Sequence, residues 1–283
     1  MEMRRMRRLM WVALTVTLGW PGGSRAVAQS YSEWVDSAYA CVQRDSLPQA
    51  VECLKAAIQK EPGNERNVLL FANIGSMQKQ RGLLEEAVES YSLALNYKPS
   101  AMPILLARAA TYMELGNESK AYVDYCNVLD QDIENREALT FRAYIAVHQR
   151  MYDVARADYN RLLTMDEKDP TARLGLALLN QKQGRRKEAV EQLAGLIADY
   201  PNDPTYYMAR ADVLAEQELC ELALLDMESA IKLRPDDPYA YVSRAEIYLQ
   251  MKHRKKQARK DLDMAVSLGL PRGQLMNLYE RCR

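Results

Sequence analysis

The sequence predicts an all-α protein built from about seven helical hairpins. Seven alanines recur at intervals of 34 to 37 residues, and a second series of small residues precedes them by twelve or thirteen positions. A small side chain lets two helices approach closely, so each period contains two helices packed against each other. The first series is Ala50, Ala87, Ala121, Ala155, Ala189, Ala223 and Ala258, and the second is Ala38, Gly75, Ala109, Ala143, Ala177, Ala211 and Ala245.

Each period shows the spacing of two amphipathic helices with a break between them. In one period Leu105, Ala109 and Tyr112 recur at three and four residues, and Ala121 and Tyr125 continue the pattern after the break. Glycine stands in this break in three periods, where a left-handed backbone ends the first helix without steric cost. Proline follows the second helix in four periods and stops it. These residues are Gly82, Gly116 and Gly184, then Pro62, Pro99, Pro201 and Pro235.

This pattern resembles the tetratricopeptide repeat, and the segments 87–99 and 223–235 are the most similar to it. The resemblance implies a right-handed superhelix, an α-solenoid. We place the seven repeats within residues 29–269, followed by a capping helix at 270–283 whose apolar face is Leu275, Leu278 and Tyr279. The repeats are expected at about 31–67, 68–101, 102–135, 136–169, 170–203, 204–237 and 238–269.

The first 28 residues have the pattern of a cleaved signal peptide. Four arginines precede the apolar stretch 9–20, and Ala26-Val27-Ala28 forms a cleavage site. Twelve apolar residues are fewer than the roughly 20 that a membrane-spanning helix needs. No cysteine follows the cleavage site directly, so a lipid anchor has no acceptor. We therefore expect a secreted or periplasmic protein that is not inserted in a membrane.

Composition and motifs argue against several classes of function. Without residues 1–28 the chain has 33 basic and 37 acidic residues, which makes nucleic acid an unfavourable partner. Neither a glycine-rich phosphate loop nor a nucleophile turn is present, and the repeats leave no room for a catalytic domain, so we predict neither enzyme activity nor a cofactor. His148 and His253 stand alone and no metal site is expected. Whether Cys41 and Cys53 form a disulfide stays open.

A charged pair is predicted between the two helices of four hairpins. Arginine occupies the seventh place of these repeats and aspartate occupies the facing place on the second helix, whereas the other three repeats lack both residues. This co-variation favours an ion pair within each hairpin over a row of ligand-binding arginines. The pairs are Arg108 with Asp124, Arg142 with Asp158, Arg210 with Asp226, and Arg244 with Asp261.

The resemblance implies that places 5, 9 and 12 of each repeat line a concave surface, which here is markedly apolar. Such a lining fits either a partner's helix or extended segment, or packing between adjacent repeats. We predict a non-catalytic scaffold of the cell envelope that binds a protein or peptide there. The alternatives are a homo-oligomeric module, whose groove a second copy fills, and an accessory subunit of an envelope enzyme complex. The candidate contact residues are Tyr39, Leu106, Met113, Tyr144, Val147, Leu178 and Met208.

Overall fold

The computed structural model describes residues 29–251 and 253–283, which are helical with no strand. The predicted signal peptide lies outside these residues. The described helices form antiparallel pairs in chain order: α1 (Tyr31–Gln43), α2 (Leu47–Lys60), α3 (Asn67–Gln80), α4 (Leu84–Tyr97), α5 (Met102–Glu114), α6 (Glu118–Leu129), α7 (Arg136–His148), α8 (Tyr152–Met165), α9 (Pro170–Lys182), α10 (Arg186–Asp199), α11 (Pro204–Glu216), α12 (Cys220–Leu233), α13 (Pro238–Gln250) and α14 (Lys255–Ser267).

The chain divides into two compact units at residue 62. The first contains the hairpin α1–α2. The second begins at residue 63 and contains six hairpins that pack in sequence order, because the second helix of each one contacts the first helix of the next. The predicted α-solenoid of helical hairpins is thereby confirmed.

Both small-residue series are buried as their periodicity requires. Every alanine of the two series is completely buried. Gly75 takes the place of alanine because a Cβ atom there would lie 2.8 Å from the ring of Tyr91. The two series are therefore the points of closest approach between helices.

The hairpin turns use the left-handed backbone that the glycines predict. Gly82, Gly116 and Gly184 have φ angles of 77°, 70° and 76°. Arg150 and Glu218 adopt the same conformation, with φ angles of 60° and 62°. The turn geometry is thus shared by hairpins that lack the glycine, although a non-glycine residue is less favourable there.

Three first helices begin with an Asp-Pro pair. Asp169, Asp203 and Asp237 are N-caps, and each carboxylate accepts a hydrogen bond from a backbone amide of the first turn at 2.9 to 3.0 Å. The proline that follows each aspartate is the first residue of the helix, where no amide donor is needed.

The C-terminal segment differs from the single capping helix predicted for 270–283. It begins with a 3₁₀ turn at Arg272–Leu275 and continues as the short helix α15 (Met276–Arg281). Pro271 has an extended backbone and lies before the turn instead of inside a helix. Leu275, Leu278 and Tyr279 are buried in the same cluster as Ala258 and Leu262, so the predicted apolar face does cover the last hairpin.

Candidate functional site

The first helices of the second unit contact one another in two groups. In this unit α3 contacts α5, and α7, α9, α11 and α13 contact one another in succession. Places are counted from the first residue of each repeat. The fifth, ninth and twelfth places lie on the first helix of each hairpin, and the surface that they form in the second unit is called the inner face. The members at the ninth place in the four hairpins from α7 to α13 are Tyr144, Leu178, Asp212 and Glu246.

The predicted contact residues of the second unit lie on four of these first helices. Leu106, Met113 and Val147 are half-buried and pack against one hydrophobic cluster that runs from Ala87 to Leu179. Met208 packs against a second cluster, and Leu178 is half-buried. These side chains therefore pack against the core and also expose part of their surface to solvent. Tyr39 belongs to the first unit, where its side chain is exposed.

Tyr144 is the most exposed apolar member of the set in the second unit, with 44% of its surface accessible. Its ring lies 4.1 Å from the ring of His148, one helical turn further along α7. Nδ1 of His148 is in turn 2.8 Å from a carboxylate oxygen of Glu118. The histidine that looks isolated in the sequence is therefore part of a small polar and aromatic group beside Tyr144.

Polar contacts tie neighbouring first helices together along one edge of the inner face. Nζ of Lys79 on α3 is 3.0 Å from Glu114 on α5. The amide of Gln181 on α9 donates to Glu216 on α11 at 2.8 Å, and Nε of Arg186 donates to the same carboxylate at 3.1 Å. These contacts are exposed and add little stability individually.

Asp212 is the acidic residue of the inner face with the most perturbed carboxyl. The residue is exposed, yet the protein atoms around its carboxyl group remove part of its hydration. This desolvation, with smaller contributions from Glu246 and Glu216, raises the pKa of Asp212 to about 6. Asp212 is the ninth place of the repeat 204–237 and so belongs to the predicted concave surface, but the sequence assigns it no role, because the proximity of Glu246 depends on how α11 and α13 pack.

The four predicted Arg–Asp pairs are present with the same two-pronged geometry. In each, Nε donates to one carboxylate oxygen at 2.8 Å and Nη2 donates to the other at 2.7 or 2.8 Å. The aspartate side chains are between 2% and 8% exposed, so they are sequestered from water. The hydrogen bonds to Asp158 raise the pKa of Arg142, the direction expected for a cation held by its partner.

Two of these arginines also reach the preceding hairpin. Nη1 of Arg108 donates to the hydroxyl of Ser92 at 2.9 Å. Nη1 of Arg142 lies 3.6 Å from Sγ of Cys126. The arginine row is thus occupied by contacts inside the solenoid, which agrees with a structural role.

Hairpins without an Arg–Asp pair use a different contact to the same place on the second helix. Ser90 donates to Gln78 at 2.6 Å, and Asn180 donates to Gln192 at 2.9 Å. Both donor–acceptor pairs join the eleventh place of the first helix to the place that aspartate occupies elsewhere. In the first unit Cys41 and Cys53 occupy these two places; both thiols are free, and burial with the proximity of Cys41 raises the pKa of Cys53.

No arrangement of three or more His, Cys, Asp or Glu side chains in the described chain could hold a metal ion. No described helix is both long and apolar enough to cross a membrane.

The fold and its inner face define a helical-repeat solenoid. Models of the tetratricopeptide repeat match residues 146–213 and 70–100. A crystal structure of a tetratricopeptide repeat protein from Parabacteroides merdae is 33% identical, with a TM-score of 0.76 over 89% of this chain and 98% of that one. The chain belongs to the tetratricopeptide repeat family. Its members serve in general as scaffolds for protein interactions.

Two other similarities are more limited. The crystal structure of YrrB, a tetratricopeptide repeat protein with an unusual peptide-binding site, is 21% identical with a TM-score of 0.53, over 67% of this chain and 96% of YrrB. The probable UDP-N-acetylglucosamine–peptide N-acetylglucosaminyltransferase SPINDLY of Hordeum vulgare is 29% identical over 129 residues. That match covers 43% of this chain and 13% of the barley protein.

Proposed function

We propose that the protein is a non-catalytic scaffold of the cell envelope that binds a partner polypeptide along its inner face. The observation that carries this proposal is the exposure of Tyr144 among half-buried apolar side chains. Methionine, leucine and tyrosine form adaptable contact surfaces, and exposed aromatic side chains are frequent anchors of interfaces. The peptide-binding site of YrrB shows that a solenoid of this fold class can bind a peptide, which supports the proposal by analogy.

The proposal predicts that Tyr144→Asp abolishes capture of the partner without unfolding the protein. Tyr144 is 44% exposed, so an aspartate at this place reaches water in the free protein but is desolvated on an apolar interface. Leu93→Asp is the matched control, because Leu93 is also 44% exposed and lies on a second helix, α4. The measurement is affinity capture from an envelope extract of the native host, quantified by mass spectrometry beside thermal melting of both variants.

If the Tyr144→Asp variant still captures the partner, or if Leu93→Asp abolishes capture equally, the partner does not bind at the inner face. Met208 is less suitable for this test since it packs against a core cluster. A charge at Met208 would therefore lower stability as well as binding.

The envelope location predicts a mature chain that begins at Gln29. Its basis is the arginine-rich start, the short apolar stretch and the Ala26-Val27-Ala28 site. Intact-mass measurement on protein from the envelope fraction of the native host should show loss of residues 1–28. Protein that retains these residues, or that is recovered from the cytoplasm, would contradict the assignment.

A further inference from the structure

The ninth place of the inner face changes character along four successive hairpins. Tyr144 and Leu178 are apolar, whereas Asp212 and Glu246 are carboxylates. The four side chains come from first helices that contact one another in sequence, α7 to α9, α9 to α11 and α11 to α13. A polypeptide lying across these helices would therefore meet two apolar positions and then two acidic ones.

The two carboxylates are not neutralised by the described part of the chain. The charged side chains that act on Asp212 are Glu246 on α13 and Glu216 on its own helix, and all three are acidic. Glu216 is held by Gln181 and Arg186, whereas neither Asp212 nor Glu246 forms an ion pair within the described residues. Desolvation is the largest cause of the raised pKa of Asp212, and the two neighbouring carboxylates raise it further; a bound cation would counteract both effects.

We infer that the partner segment combines apolar side chains with lysine or arginine, the apolar side chains contacting Tyr144 and Leu178 and the cations contacting Asp212 and Glu246. The inference rests on the proposed function and specifies its ligand. An acidic segment would be repelled at the same positions. The inner-face cation at the other end, Lys79, is already paired with Glu114 at 3.0 Å.

The helix packing also sets the spacing of such a segment. Packed helices have axes about 8–10 Å apart, and an extended chain advances about 3.3 Å per residue. One hairpin step therefore corresponds to roughly three residues of an extended peptide. The pattern that fits is an apolar residue, an apolar residue, a cation and a cation, each about three residues after the previous one.

The test uses ten-residue fluorescein-labelled peptides and the purified full chain. All peptides carry leucine at positions 1 and 4 and serine at the filler positions, while positions 7 and 10 are lysine, glutamine or glutamate. Fluorescence anisotropy at low salt should show the lysine peptide binding about tenfold more tightly than the glutamine peptide, with the glutamate peptide weakest. High salt should remove the difference, because accessible charges are screened.

The decisive variant is Asp212→Asn with Glu246→Gln. It should abolish the preference for lysine over glutamine and glutamate, because no carboxylate is then left to contact the cations. The matched control is Glu85→Gln with Glu86→Gln, which removes two exposed carboxylates from α4 and should keep the preference.

Equal affinity for the three peptides, or no binding of any of them below about 1 mM (about −4 kcal/mol), would overturn the inference. If capture of the natural partner still depended on Tyr144 in that case, the proposed function would stand and only the inference about basic partner segments would fail. A salt-sensitive dimer that Asp212→Asn with Glu246→Gln dissociates would make a second copy the occupant and would also overturn it. Light scattering of the purified chain measures this last outcome.

Discussion

Replacing Arg142 with leucine is expected to lower the free energy of unfolding by roughly 3–5 kcal/mol, because it leaves the carboxylate of Asp158 buried without its cation. Asp158→Leu should cost less, on the order of 2 kcal/mol, since a stranded arginine can reach water more easily. The structure gives the reason for this asymmetry: the Asp158 side chain is 4% exposed and that of Arg142 is 22% exposed. Denaturant unfolding of the single variants measures both losses.

The double variant with leucine at both places should recover most of the loss, since two packed apolar side chains replace a buried ion pair at little cost. The difference between the double variant and the sum of the single variants gives the coupling directly. The same three substitutions at Arg210 and Asp226 provide a second hairpin with the same geometry. Additive losses would show that the pair contributes no coupling, and the arginine row would again be a candidate for ligand binding.

Two glycine-to-alanine substitutions are expected to change stability in opposite directions. Gly195→Ala on α10 should stabilise by about 0.5–1 kcal/mol, since alanine favours the helix and its Cβ would meet only the end of the long Arg173 side chain at 3.3 Å. Nη1 of Arg173 is paired with Asp199 at 2.6 Å, so Nη2 has to shift by a few tenths of an ångström without breaking that pair. Gly175→Ala on α9 should destabilise by roughly 1–3 kcal/mol. Its Cβ would come within 3 Å of three ring atoms of the buried Tyr159, so the clash exceeds the gain in helix propensity.

Removing the ring should rescue the second substitution. Tyr159→Leu in the Gly175→Ala protein should recover stability, because the chain already contains this combination one repeat later. There Leu193 occupies the place of Tyr159 and Ala209 the place of Gly175, and the two residues belong to one hydrophobic cluster. Thermal melting of the single and double variants checks the pair. Stabilisation by Gly175→Ala would mean that the tyrosine ring does not rest on the glycine in solution.

The contacts within a hairpin were predictable from the sequence because they repeat. The spacing of alanines gave the close approaches, and the joint presence of arginine and aspartate gave the pairs, since each repeat provides a comparison for the others. Contacts that occur in one hairpin have no such signal. The packing of Tyr159 on Gly175 joins two hairpins, so neither residue alone indicates it.

The polar substitutes for the ion pair were missed for a related reason. Asn180 with Gln192, and Gln78 with Ser90, begin at the eleventh place and not at the place of the arginine. The sequence comparison considered only the seventh place and the place of the aspartate, which Leu176 and Gln192 occupy in the hairpin α9–α10. It therefore did not include Asn180, the residue that contacts Gln192. The broken C-terminal segment was equally hidden, because Leu275, Leu278 and Tyr279 keep helical spacing although the backbone starts as a 3₁₀ turn.

The packing of each hairpin on the next has a mechanical consequence for ligand binding. Every substantial helix contact among the six hairpins α3 to α14 is made within one hairpin or between consecutive hairpins. Small changes of rotation at successive interfaces therefore add up along the array and change the distance between its ends. A partner that spans Tyr144 to Glu246 crosses three such interfaces. Its affinity would depend on the elastic energy of adjusting their spacing, so substitutions far from the bound segment could tune binding by stiffening the array.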